Sequence, residues 1–250
     1  VSYGTPLDGG RAALAYRSLE RTVAGLGRDG QAFRRLMAPL VQRAEGITDL
    51  TLNQLLRVPH DPVAAARFGA RVVEQGTALW GLRFREDLAP ALLTGVAAHA
   101  VAQLLAPAPA GAGLMLGTLA HTVGWPVPIG GSAAIAQAMI KDIEAHGGAV
   151  ETGARIGSLA ELPPVRATLL DVAPPGLLRL AGGRLPDRYR RALEAFRFGN
   201  AACKVDFILS GSVPWAASGL ADAGTVHVGG TRAEMAAAEN LVAAGQHPDR

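Results

Sequence analysis

Apolar positions in the first half of the chain recur with a helical period. Ala12, Tyr16, Leu19, Val23 and Leu26 are spaced by alternating fours and threes, one stripe of a helix closed by Gly27 and Gly30. Phe33, Met37, Leu40 and Ile47 continue the period after Asp29, and Pro39 is expected to bend that helix. Further helices are expected near residues 64–80 and 90–105. No alternation suited to a strand is seen before about residue 148.

The texture then changes. Ser132 after Gly130-Gly131 predicts the N-cap of an apolar helix running from Ala133 to about His146, ended by Gly147-Gly148. Residues 149–152 and 155–159 read as short strands. Residues 167–172 read as a buried strand stopped by Pro174-Pro175, so helix and strands together suggest an α/β layer. Tyr189, Ala192, Leu193 and Phe196 mark a short helix. Residues 202–209 alternate as a strand, with Lys204, Asp206 and Ile208 on one face and Cys203, Val205 and Phe207 on the other. Residues 225–228 form another strand, and Thr231 with Glu234 predicts a capping box before an Ala-rich helix ending at Gly245.

Composition narrows the class. With 49% hydrophobic and 18% charged residues, the chain suits a packed globular protein, and its Gly, Ala and Arg usage resembles that of high-GC bacteria. The net charge of +3 is dispersed among acids, which argues against a nucleic-acid partner. Cys203 is the sole cysteine, which excludes an internal disulfide framework and a Cys-rich zinc site. With no basic or apolar leader at Val1-Ser2-Tyr3-Gly4, a reducing, cytoplasmic location is expected. No charged residue occurs between Asp87 and Lys141, but Pro107, Pro109, Gly111, Gly113, Gly117, Gly124 and Pro126 interrupt that stretch. It reads as buried core or the wall of an apolar channel rather than a bilayer span, compatible with peripheral membrane contact.

Candidate chemistry is sparse. Gly111-Ala112-Gly113-Leu114-Met115-Leu116-Gly117 lacks the preceding strand and the spacing of a dinucleotide loop, and reads as a structural loop. Gly130-Gly131-Ser132 is not a nucleophile elbow. The six histidines share no ligand spacing, no carboxylate pair stands out, and no metal site is expected. Cys203 reads as a buried core residue. Lys204 and Asp206, from pattern alone, suit a sheet face open to water.

Three stretches carry a family likeness: Gly124-Trp125-Pro126-Val127-Pro128-Ile129-Gly130-Gly131-Ser132; Gly147-Gly148-Ala149-Val150-Glu151-Thr152-Gly153-Ala154-Arg155-Ile156; and Leu169-Leu170-Asp171-Val172-Ala173-Pro174-Pro175. With Phe198-Gly199-Asn200 through Lys204-Val205-Asp206, Pro214-Trp215 and His227-Val228-Gly229-Gly230-Thr231, this order resembles the phytoene-dehydrogenase-like branch of the flavin amine-oxidase superfamily, over residues 120–245. The first half fits the family's substrate-side insertion loosely. The family's N-terminal GxGxxG unit and C-terminal flavin motif have no counterpart, so the chain reads as an internal part of a longer enzyme, inactive by itself.

The resemblance implies FAD as cofactor, with Arg155 and Ile156 at its adenine end and Val172 and Ala173 passing close to it. It puts Lys204 where amine oxidases hold a water near the flavin N5, a catalytic role. The expected fold is α/β, a segment of an FAD/NAD(P)-binding, Rossmann-like domain combined with a helical and mixed-sheet substrate domain. Residues 1–125 would be a helical cap, 126–184 the flavin segment and 185–250 the substrate-domain sheet. The expected reaction is hydride removal from a small apolar substrate. A non-redox module for hydrophobic ligands is the alternative, and a flavin-free nicotinamide enzyme would need the complete fingerprint. The sequence sets no oligomeric state.

Overall fold

The chain begins with a β-hairpin whose second strand takes the start of the stretch that helical periodicity placed in a helix. In the computed structural model, which describes residues 1–54 and 57–249, strand β1 (Tyr3–Leu7) pairs antiparallel with β2 (Arg11–Ala15), from Tyr3 opposite Ala15 to Leu7 opposite Arg11. Gly9 (φ 76°) and Gly10 (φ 72°) take left-handed backbone in the connection, which glycine adopts without a Cβ clash. Four of the five β1 residues are buried, so no alternation is visible there, and β2 is an Ala-rich segment of helical propensity. Pairing overrides that propensity. A short strand, β3 (Thr225–Val226), lies parallel on the other side of β1, giving the sheet order β2-β1-β3.

The rest is largely helical, and the whole is mixed α/β with about 52% helix. In order the helices are α1 (Leu19–Ala24), α2 (Gly30–Val41), α3 (Ala44–Leu52), α4 (Pro62–Gln75), α5 (Leu88–Ala97), α6 (Pro107–Ala120), α7 (Ala133–Ala145), α8 (Pro174–Ala181), α9 (Asp187–Glu194) and α10 (Arg232–Ala243). The helical stripe read across residues 12–26 is thus split between β2 and α1, and Gly30 opens α2 instead of closing the preceding helix. Two compact units result, residues 1–127 with 200–250, and residues 128–199.

In the first unit the apolar stripe of α2 makes the core. Phe33, Leu36, Met37 and Leu40 are fully buried, in one cluster with Tyr3, Leu26, Ile47, Leu92, Val96 and Leu114. Side chains of this size contribute about 1.5–3 kcal/mol each on burial. Pro39 lies inside α2, which continues to Val41. Helix α5 is buried on nearly all its faces, Ala89 and Ala91 through Val96, which accounts for its freedom from charge.

The glycine-rich stretch 111–117, expected to be a loop, is the middle of α6. Pro107 occupies the first turn, where its missing N–H costs nothing. Gly113 lets α6 approach α5, since a Cβ there would lie 3.0 Å from the Ala97 Cα. No helix among the described residues is long and apolar enough to cross a membrane.

The second unit departs further from expectation. No strand forms over residues 149–172, and Val150, Ile156, Leu169 and Val172 are exposed. A strand needs a neighbour to take its N–H and C=O groups, and a patterned segment without one stays irregular. Pro174-Pro175 opens α8 instead of merely ending a strand. Ser132 precedes α7 but has helical backbone and makes no side-chain cap bond, whereas Gly147 (φ 80°) ends the helix as expected. Gly176 and Ala181 are the buried residues described in this unit.

Residues 202–209, in the first unit, form no strand either. Val205, Phe207 and Ile208 are exposed instead of packing one face into a core, and Cys203 is exposed, not buried. The capping box of Thr231 and Glu234 is present on α10.

Candidate functional site

Residues 155–157 form an extended segment, and residues 172–173 lead directly into α8. These two stretches meet. Arg155, Ile156, Val172 and Ala173 line one cleft of about 600 Å³ together with Arg179 and Phe198, entirely within the second unit. Pro174 and Pro175 fix the entry to α8, and the Gly176 and Leu177 N–H groups both donate to the Ala173 carbonyl at 2.8 and 3.1 Å. Across the turn at 159–161, the Gly157 N–H donates to Glu161 Oε2 at 3.2 Å.

Two guanidiniums, Arg155 and Arg179, face this space, and neither forms an ion pair among the described residues. Ile156, Val172, Leu180 and Phe198 supply an apolar wall. Two exposed guanidiniums beside an apolar face suit a ligand that carries both an anionic group and apolar surface. Helix α8 adds no anion-binding donors of its own, since prolines occupy its first positions and the next two N–H groups are used. An anion reaching this cleft would meet the two guanidinium side chains and not the helix end.

Lys204 is placed differently from its expectation. Its Nζ pairs with the Asp206 carboxylate, both side chains are 80% exposed, and the surrounding segment has no strand to aim them. The pair is the solvent-open arrangement that the residue pattern alone suggested. The lysine faces no cavity among those described.

The histidines gave no sign of belonging together, but two of them meet. His99, just past α5, and His227, just past β3, bring their Nε2 atoms to 2.8 Å. Their ring centroids are 5.0 Å apart, about one ring width more than the nitrogens, so the N···N line runs through both rings as in a linear N–H···N bond. Trp125 stands edge-on to both rings and stacks on Tyr3 at 4.8 Å. Gly95 makes the room, because a Cβ there would come within 2.8 Å of the His227 Cβ.

This pair carries one proton between its facing nitrogens. The His227 Nδ1 is buried without a partner, and an unpaired acceptor is cheaper than an unpaired N–H. That assigns the Nε2 proton to His227, donating to His99. Burial, and next the proximity of His99, pushes His227 down to about 4, so it is neutral at pH 7. Burial likewise raises the Tyr3 phenol. No sequence signal could have found this group, since its members are separated by 128 positions and share no motif. Among the described residues no cluster of His, Cys, Asp or Glu suits a metal ion.

Comparison with family models, with curated proteins and with solved structures finds no match for this chain.

Proposed function

We propose that the chain is part of an FAD-dependent oxidoreductase of the phytoene-dehydrogenase-like kind, which removes hydride from a small apolar substrate. The observation that carries this reading is the meeting of Arg155, Ile156, Val172 and Ala173 in one cleft. The resemblance picked these residues from two separate stretches, and nothing in their pattern required them to come together. Arg155 and Arg179 would hold the phosphate-bearing end by charge-assisted hydrogen bonds, while Ile156, Val172 and Phe198 exclude water from its flat portion. FAD, when bound, supplies the hydride acceptor. A Rossmann-like layer and a cytoplasmic location belong to this proposal, and the segments at 149–152, 155–159 and 167–172 would supply strands once they have neighbours to pair with.

Lys204 enters the proposal as a residue free to reorganise, since an exposed ion pair contributes only about 0–1 kcal/mol and is easily exchanged. The test of the reading is titration of FAD and of ADP into the purified protein, followed by flavin fluorescence and calorimetry. Saturable binding, weakened at least about tenfold by Arg155→Gln and by Arg179→Gln, supports it. Equal affinity in both variants, or no binding of either ligand at millimolar concentration, would overturn it.

A further inference from the structure

Residues 201–209 are exposed throughout and belong to no helix or strand. Among the described residues, no backbone N–H or C=O between residues 199 and 212 is hydrogen-bonded. That leaves a full row of donors and acceptors open to pairing. None of these residues has left-handed backbone, so the local conformation does not bar an extended chain. Val205, Phe207, Ile208 and Leu209 are between 59% and 104% exposed, a run of large apolar side chains in water.

The charges of the segment limit what it can pair with. Lys204 and Asp206 stand two residues apart, on one face of an extended chain. If two copies paired parallel and in register, lysine would stand opposite lysine and aspartate opposite aspartate, which is destabilising. Antiparallel pairing centred on Lys204, or on Asp206, repeats one of those clashes at the two-fold axis. A half-step register on either side of Val205 sets a charge against the Val205 side chain. Centred on Val205, the pairing removes every conflict: Lys204 stands opposite the partner's Asp206, and Asp206 opposite the partner's Lys204.

The same register matches the rest of the segment. On the charged face, Ala202 stands opposite the partner's Ile208. On the other face, Ala201 meets the partner's Leu209, Cys203 the partner's Phe207, and Val205 the partner's Val205. That face is wholly apolar, and apart from the central valines each large side chain faces a small one. A patch that complements itself about a two-fold axis is what a closed, symmetric pair of identical chains requires. Within one chain, Lys204 Nζ holds the Asp206 carboxylate, with both side chains 80% exposed. Exchanging so exposed a pair for the same pair between copies costs little.

We infer that residues 201–209 are a docking edge for a second copy of this chain, the two segments pairing antiparallel about Val205. A ribbon of two strands is marginal in water by itself, so the dimer is expected to form reversibly as concentration rises. The pairing needs no flavin, and the cleft of Arg155 and Arg179 lies in the other unit. Flavin binding and dimerisation therefore succeed or fail separately.

Cross-linking tests the register, because Cys203 is the only cysteine of the chain. In a Cys203→Ser background, two Val205→Cys residues would lie directly opposite, their Cα atoms about 4.5–5.5 Å apart and within disulfide reach. Two native Cys203 residues would lie about 13 Å apart along the strands, out of reach. Oxidation of the whole protein with copper phenanthroline is expected to give at least about tenfold more disulfide-linked dimer from the Val205→Cys variant than from the wild type. In sedimentation velocity, Lys204→Asp and Asp206→Lys should each weaken dimerisation about fivefold or more, since each sets like charges opposite one another twice. The two substitutions together should restore it. All the substituted residues are exposed. A chain that stays monomeric at millimolar concentration, equal cross-linking at the two cysteine positions, or no rescue by the double exchange overturns the inference.

Discussion

Residues 88–120 are an uncharged apolar stretch expected to be helical and residues 149–172 hold the segments expected to be strands, and the two end in opposite states. The first becomes α5 and α6, where Leu92, Val96 and Leu114 are nearly or fully buried. The second leaves Leu169 at 93% exposure and forms no ladder. A helix satisfies its own backbone and needs only a face to bury, and α2, α5 and α6 provide faces for one another. A strand needs a neighbour for its hydrogen bonds before its side chains count. Apolar pattern therefore predicts burial for helices far better than for strands considered singly.

The largest expected effect tests that contrast directly. Phe33→Ala removes a fully buried ring from the α2 stripe and should cost about 3–5 kcal/mol. Leu169→Ala, in an apolar run of the second unit, should change stability by less than about 0.5 kcal/mol. Urea unfolding of both variants, with unchanged denaturant slopes, measures the difference. A cost at Leu169 comparable to that at Phe33 would mean that the 149–172 run is packed in solution, and the contrast would collapse.

What could be read from the residues follows the same division. The helices α2, α4, α5, α9 and α10 and the Thr231–Glu234 cap were legible, because period and cap are local properties. The hairpin was not, although Asp8-Gly9-Gly10 is a turn signal, because β1 is buried on both faces and shows no alternation. The stretch 111–117 was mistaken for a loop because glycine reads as a breaker, while here it is required by the approach of α6 to α5. Arg155, Ile156, Val172 and Ala173 were singled out through resemblance alone, and the residue pattern gave no sign that they line one cleft. The His99–His227 pair was invisible, since its surroundings are assembled from distant parts of the chain.

Acid should act on the first unit through its buried imidazoles. His227 and His121 are both held below their ordinary range by burial. In each case the unfolded chain binds the proton more readily than the fold does. The stability tied to their neutrality is therefore complete above the unfolded value near 6.5 and is lost as pH falls toward 4. Between pH 7 and pH 5, His227 should account for a loss of about 1 kcal/mol, allowing for its partial exposure to solvent. His227→Gln should remove that share of the pH dependence, measured as the difference in unfolding free energy at the two pH values. An unchanged slope would show that His227 takes up protons equally in the fold and in the unfolded chain, and the proton assignment in the pair with His99 would fall with it.

The smallest effect separates two helix starts that look alike in sequence. Thr231 before α10 and Ser132 before α7 are both residues of the N-cap type. Thr231 has extended backbone (φ −68°, ψ 166°), its Oγ1 accepts from the Glu234 N–H, and the Glu234 carboxylate accepts from the Thr231 N–H at 2.8 Å. Ser132 is already in helical backbone (φ −60°, ψ −28°), from which its hydroxyl makes no cap bond. Behind the first cap, Met235 is buried with Leu7, Ala91 and Leu104, so loosening the start of α10 is felt by the core. Behind the second, no residue of α7 is buried. Thr231→Ala should therefore cost about 1 kcal/mol, and Ser132→Ala should stay within about 0.5 kcal/mol of zero. Hydrogen exchange of the first-turn amides of each helix reads both values in one experiment. If Ser132→Ala speeds exchange in α7 as much as Thr231→Ala does in α10, Ser132 is a working cap and α7 is held more firmly than its exposure implies.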